Sequence, residues 1–82
     1  MIEKGDCIDI HFKLEDGCDG YAACEYNGRD SNGGYVFISL IYGWEYIVNK
    51  EKTKVTLVYP RWGERKEHIL DNRSGWANYL PN

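Results

Sequence analysis

From Cys7 to Glu15 apolar and polar residues alternate without a break, with Ile8, Ile10, Phe12 and Leu14 on one side and Asp9, His11, Lys13 and Glu15 on the other. A period of two is that of a strand with one face in a core and one in water, so this segment is predicted to be a half-buried antiparallel strand. Asp16-Gly17-Cys18-Asp19-Gly20 follows, and its two glycines suit the positive φ of a hairpin turn. Tyr21 to Tyr26 is then the returning strand. Asn27 to Gly34 holds only polar residues and glycine, offers nothing to bury, and reads as a surface loop. Tyr35 to Tyr42, interrupted by Ser39, is apolar on both faces and rich in β-branched and aromatic residues, which predicts a central strand covered on both sides.

Trp44 to Val48 and Thr53 to Tyr59 form a second hairpin pattern around Asn49-Lys50-Glu51-Lys52, with Thr53, Val55, Leu57 and Tyr59 sharing one face. Pro60 cannot donate to a ladder and ends that arm, leaving Arg61-Trp62-Gly63-Glu64 as a turn. Arg65 to Leu70 fits either a last strand or a turn of helix. Ser74 to Pro81 reads as a short helical turn with Ser74 as its N-cap, which would put Trp76, Tyr79 and Leu80 on one side as a plug for an open end of the sheet. The expected fold is all-β and a single domain: an antiparallel meander of five or six strands curling into a small open barrel, with a short C-terminal helical turn. Lys4-Gly5-Asp6-Cys7-Ile8-Asp9-Ile10 is similar to the G-D-x-apolar-x-apolar opening of SH3-like barrels, a resemblance over under a tenth of the chain that implies the same kind of architecture. The terminal Gly75-Trp76-Ala77-Asn78-Tyr79 lacks the proline that SH3 domains place before their Asn-Tyr.

In 82 residues folding buries only about 60 to 65% of the unfolded surface, so the core must be efficient. Aromatic residues form 15% of the chain, and each large ring can bury roughly 150 to 250 Å². The longest apolar stretch is far short of the ~20 residues that span a bilayer, and Met1-Ile2-Glu3-Lys4-Gly5-Asp6 has no secretory pattern, so a cytoplasmic protein that does not cross a membrane is expected. Cys7, Cys18 and Cys24 are odd in number and lack C-x-x-C spacing, which speaks against a disulfide scaffold.

Cys7 and His11 share the polar face of the first strand, but four residues at ~3.3 Å each hold them about 13 Å apart, too far for a nucleophile and its base or for one metal ion. In one register of the first hairpin Glu25 would meet His11, a pairing that raises an imidazole pKa. Asp16, Asp19, Asp30 and Asn32 carry oxygen ligands in glycine-rich loops, yet without the spacing and closing Glu of a calcium loop. Cys18 and Cys24 are too widely spaced for a zinc knuckle. No cofactor, no metal and no enzymatic activity are expected.

The charge is uneven. Residues 1 to 41 carry eight acids and three bases, and residues 42 to 82 five acids and seven bases, so the halves stand at −5 and +2. The first expectation is therefore a protein-binding module, an inhibitor being one form, that docks an acidic hairpin (Asp9, Glu15, Asp16, Asp19, Glu25) on a basic surface of another protein. The alternative is a small barrel binding single-stranded nucleic acid, with bases on Tyr59 and Trp62 and phosphates on Lys52, Lys54, Arg61, Arg65 and Lys66. A net charge of −3 disfavours that alternative, because neutralising phosphates supplies most of such affinity. Open sheet edges also leave room for a homodimer.

Overall fold

A computed structural model describes residues 1–81 and contains six antiparallel strands: β1 (Cys7–Lys13), β2 (Asp19–Arg29), β3 (Tyr35–Ser39), β4 (Glu45–Val48), β5 (Lys54–Tyr59) and β6 (Glu64–Asp71). A 3-10 helix, Arg73–Tyr79, follows. Each strand pairs with the next and β6 pairs with β1, so the sheet closes into a barrel where an open curl was expected. Closure joins the two edge strands over three residues each. It depends on β6, the segment that fitted strand or helix equally well. Paired with β5 from Lys54–Ile69 to Tyr59–Glu64, β6 turns Leu70 inward and reaches β1 at His11–Asp71, Phe12–Leu70 and Lys13–Ile69. A walk across the pairs from Cys7 through Glu25, Ile38, Glu45 and Val58 arrives at Arg65, well displaced from the β1–β6 seam, so the strands are steeply tilted around the barrel.

Inside, alternate residues of each strand converge: Ile10 and Phe12, Cys24 and Tyr26, Tyr35 and Phe37, Tyr46 and Val48, Val55 and Leu57 are all buried. Rings do much of the filling, with Tyr26 and Phe37 centroids 5.2 Å apart and Trp76 edge-on to Phe37 at 5.6 Å. Trp76, Ala77, Leu80 and Ile2 plug one end. Tyr79 does not join them. The chain kinks at Ser74 and Gly75, both at positive φ; Asn72 rather than Ser74 holds the N-cap position, without a side-chain capping bond, and its Oδ1 instead accepts the Ala77 N–H further along at 3.0 Å.

Three further boundaries differ from the sequence expectation. β2 starts at Asp19 and continues to Arg29 through an irregularity after Tyr26, so the polar loop shrinks to residues 30–34, where Asp30 Oδ1 accepts the N–H groups of Asn32 and Gly34. β3 stops at Ser39, whose Oγ and carbonyl accept the N–H groups of Tyr42 and Gly43, so Leu40, Ile41 and Tyr42 form an exposed turn. Val36 and Ile38, on the outer face of β3, are only half-buried, because a closed barrel covers one face of each strand. Leu14 lies past the end of β1 in the turn closed by its N–H to the Cys18 carbonyl, and is exposed instead of core. Among the described residues no helix is long and apolar enough to cross a membrane.

One glycine is dictated by packing. Gly20 lies opposite Phe12, and a Cβ there would stand 2.5 Å from Phe12 Cε2. Gly20→Ala is expected to destabilise the fold by about 1 to 3 kcal/mol, seen as a lower urea midpoint, because the Phe12 ring is itself packed against Tyr46. A midpoint equal to that of the parent protein would contradict this packing.

At the seam Lys13, Asp19, Asp71 and Arg73 form a charge cluster: Lys13 bonds Asp19, Arg73 reaches Asp19 at 3.2 Å, and Arg73 Nε donates to Asp71 at 3.0 Å. Hydrogen bonds from Lys13 and Arg73 hold the Asp19 carboxyl below its ordinary pKa, and Arg73 does the same for Asp71. A carboxylate with a depressed folded pKa contributes stability above its unfolded pKa and loses it as pH falls through the folded one. The denaturation midpoint is therefore expected to fall below about pH 4, with a shallower fall in an Asp71→Asn variant. Equal acid profiles for parent and variant would show that the cluster does not guard the seam.

Candidate functional site at the turn end of the barrel

In a closed meander the turns alternate between two ends. The β2–β3 loop, the β4–β5 turn, the N-terminal segment and the 3-10 helix belong to the plugged end. The β1–β2, β3–β4 and β5–β6 turns surround the other end, over which no helix lies among the described residues. Trp44 and Tyr59, just beyond β4 and at the tip of β5, are half-buried there, their rings edge-on at 4.7 Å. Tyr42 stacks on Trp44 with centroids 4.5 Å apart and planes 18° from parallel, and Trp62 lies 6.5 Å from Tyr59. Four rings from two turns thus form one ladder.

The outer part of this ladder is in water. Trp62 is 71% exposed, Tyr42 64%, and their neighbours Ile41 and Leu40 78% and 54%. Trp62 projects because Pro60 ends β5 and the Tyr59 carbonyl accepts the Trp62 and Gly63 N–H groups, with Gly63 at φ 64. Tyr42, Trp44, Pro60, Arg61 and Trp62 line a notch of about 340 Å³ between the β3–β4 and β5–β6 turns. On the other side of the β5–β6 hairpin, Leu14, Glu15, Asp16, Lys66 and His68 line a second cleft, floored by the stack of His68 on Phe12 at 5.2 Å.

The acidic residues expected to form one docking surface are divided. Glu15 and Asp16 lie in the β1–β2 turn at this end, the Asp16 carboxylate accepting the Cys18 N–H at 3.0 Å, a bond that lowers its pKa. Asp9 and Glu25 are exposed on the outer faces of β1 and β2, opposite Ala23 and Cys7. Asp19 is held in the seam cluster. The register also places Tyr21, not Glu25, opposite His11, whose ring stacks on Tyr21 at 5.7 Å, so the expected His11–Glu25 pairing does not form.

The basic and aromatic residues are divided as well. Lys52 is at the plugged end, 5.7 Å over the Tyr35 ring, and Lys54, at the same end of β5, pairs with Glu67 at 3.3 Å. Lys66 lies 3.9 Å from Glu64. Tyr59, Arg61 and Trp62 come together at the turn end, whereas Arg65, on the outer face of β6 opposite Val58, lines a separate cleft with Asp30, Asn49, Lys50 and Glu51. The fold joins Tyr42 and Trp44 to them. Sequence reasoning missed this pair because Tyr42 was assigned to a covered strand, although Gly43 between the two rings was the available turn signal.

Among the described residues no three His, Cys, Asp or Glu side chains gather as a metal site. Compared with known proteins, the chain matches no family model, no curated protein and no solved structure. The Cys24 thiol is pushed up to about 12 by burial and by Asp9, whereas Cys7 and Cys18 are exposed. A thiol reagent is therefore expected to label Cys7 and Cys18 in the native protein and Cys24 only after unfolding. Rapid labelling of Cys24 in the folded state would contradict the closed barrel.

Proposed function

We propose that this protein is a non-enzymatic protein-binding module that docks through the turn end of its barrel. Tyr42 and Trp62 are the anchors, and Glu15 and Asp16 steer the module toward a basic partner surface. The observation that carries the reading is the exposed aromatic ladder. Leu40, Ile41, Tyr42 and Trp62 together leave on the order of 500 Å² in water, the size of the largest patch on a typical monomer, which is often functional. Trp, Tyr and Arg are also the residue types that dominate interface energetics, and all three line the notch. Glu15 and Asp16 make no ion pair among the described residues, so their field is available to a partner. An inhibitor covering the basic groove of an enzyme is one form such a module takes.

Single-stranded nucleic acid on the same rings is the second reading, and Arg61 in the notch lining favours it. Against it, Lys52 and Lys54 are at the far end of the barrel and carboxylates offset Lys54 and Lys66. That leaves Arg61 for phosphates beside the rings, since Arg65 lines a separate cleft, a small electrostatic contribution in a chain of net charge −3.

Immobilised protein is expected to retain a partner from extract after nuclease treatment, less at high salt. Trp62→Ala should weaken that capture by about 2 kcal/mol, roughly 30-fold, and Glu15→Lys with Asp16→Lys should reduce its salt dependence. Capture undiminished in folded Trp62→Ala and Tyr42→Ala variants would rule this end out, and retention lost to nuclease would favour the nucleic-acid reading.

A further inference from the structure

We propose that the partner is held in part as an added strand, on the free edge of β6 beside the β1–β2 turn. This deepens the docking reading and rests on it for the steering by Glu15 and Asp16. The seam between β1 and β6 is short, with only His11, Phe12 and Lys13 meeting Asp71, Leu70 and Ile69. β6 itself extends back to Glu64, paired with β5 along its other side. Continued register would set Leu14 opposite His68 and Glu15 opposite Glu67. Instead Leu14 donates its N–H to the Cys18 carbonyl at 2.8 Å, and the chain leaves β6 for the β1–β2 turn.

Main-chain direction decides which groups are left over. Neighbouring residues of an antiparallel strand turn their N–H and C=O to opposite sides. Leu70 donates to the Thr53 carbonyl at 2.9 Å, so Lys66 and His68, in step with it, face β5. Arg65, Glu67, Ile69 and Asp71 face the other way. Of these, Ile69 and Asp71 meet β1, whereas Arg65 and Glu67 meet no strand on that side. Among the described residues no main-chain hydrogen bond from a turn or loop reaches either of them. A strand edge with unpaired ladder groups is a template for a further strand.

The side chains along this edge name the occupant. A cleft of about 250 Å³, lined by Lys13, Leu14, Glu15, Glu67, His68 and Ile69, follows the edge and shares Leu14, Glu15 and His68 with the cleft floored by His68 on Phe12. A strand laid on the edge points alternate side chains inward and outward, and those beside Lys66 and His68 enter the clefts. There Glu15 and Asp16 make no ion pair among the described residues, while Lys66 lies 3.9 Å from Glu64. A lysine or arginine suits the position, its aliphatic stem on Leu14 and the His68 ring and its charge on the carboxylates. The Arg65 side chain is on the outer face, in a separate cleft, and takes no part. The occupant is therefore an extended segment of another protein with a basic residue at every second position.

Amide hydrogen exchange on the full chain, read residue by residue by NMR, tests this. In the free protein the Arg65 and Glu67 amides are expected to exchange fast and those of Lys66 and His68 slowly. An acetylated and amidated Thr-Lys-Thr-Lys-Thr peptide at millimolar concentration should slow Arg65 and Glu67 by about tenfold. The same peptide N-methylated at its threonines keeps its charge but cannot pair, and should leave both amides fast. Glu15→Lys with Asp16→Lys should abolish the protection while leaving the circular dichroism of the parent. Arg65 and Glu67 amides already slow in the free protein, no slowing by the peptide, or equal slowing by its methylated form would each overturn the added strand. The ring-based docking is judged separately by the capture experiment. Capture lost in Trp62→Ala with no peptide protection leaves the rings and removes the edge, and protection with capture undiminished in Trp62→Ala leaves the edge and removes the rings.

Discussion

Three residue pairs between β1 and β6 turn a meander into a barrel, and most of what this protein can do follows from that closure. The cysteines are free, and the core is drawn from the inner faces of the strands together with Ile2, Trp76, Ala77 and Leu80. Closing the sheet gives every strand an inside and pairs His11 to Lys13 of one edge with Ile69 to Asp71 of the other. The cost falls on the seam, short and partly in water, where Lys13, Arg73, Asp19 and Asp71 converge. The residues that a charge count alone would assign to a partner are in part the residues that hold the barrel shut.

Closure also separates the ends. The interior is narrow enough to be filled by rings, and the chain continuing past β6 supplies Trp76 and Leu80 to seal the end it reaches. Among the described residues no helix lies over the other end. There the aromatics of two turns pack on one another, Trp44 and Tyr59 half-buried and Tyr42 and Trp62 in water. The asymmetry between a plugged end and an aromatic end is the physical basis for placing function at the latter. That uncovered apolar surface is what the proposed docking rests on.

Much of the strand content was legible in the chain. The alternation from Ile8 to Phe12 and from Val55 to Tyr59 specifies both strand and inward face, since a one-residue slip would turn every apolar group to water. Local pattern failed where two structures share one pattern. Tyr35 to Tyr42 reads as a single covered strand because an apolar turn and an apolar strand look alike, and Ser39 became a turn only once Tyr42 and Gly43 bonded to it. Arg65 to Leu70 fits helix or strand by spacing, and partnership with β5 and β1 selected the strand. Leu14 keeps the alternation of its neighbours yet lies past the last pair that faces the interior.

By itself the sequence determined an all-β, antiparallel, aromatic-rich domain, the inward faces of its clearest strands, and the distance that keeps Cys7 from His11. Those properties depend on local periodicity, chain geometry and composition. Only the tertiary structure decided that the sheet closes, that Asp19 belongs to a seam while Glu15 and Asp16 remain unpaired, and that Tyr42, Trp44, Tyr59 and Trp62 form one ladder. Registry between distant strands is set by the sum of many weak pairings around the barrel, and no window along the chain contains that sum.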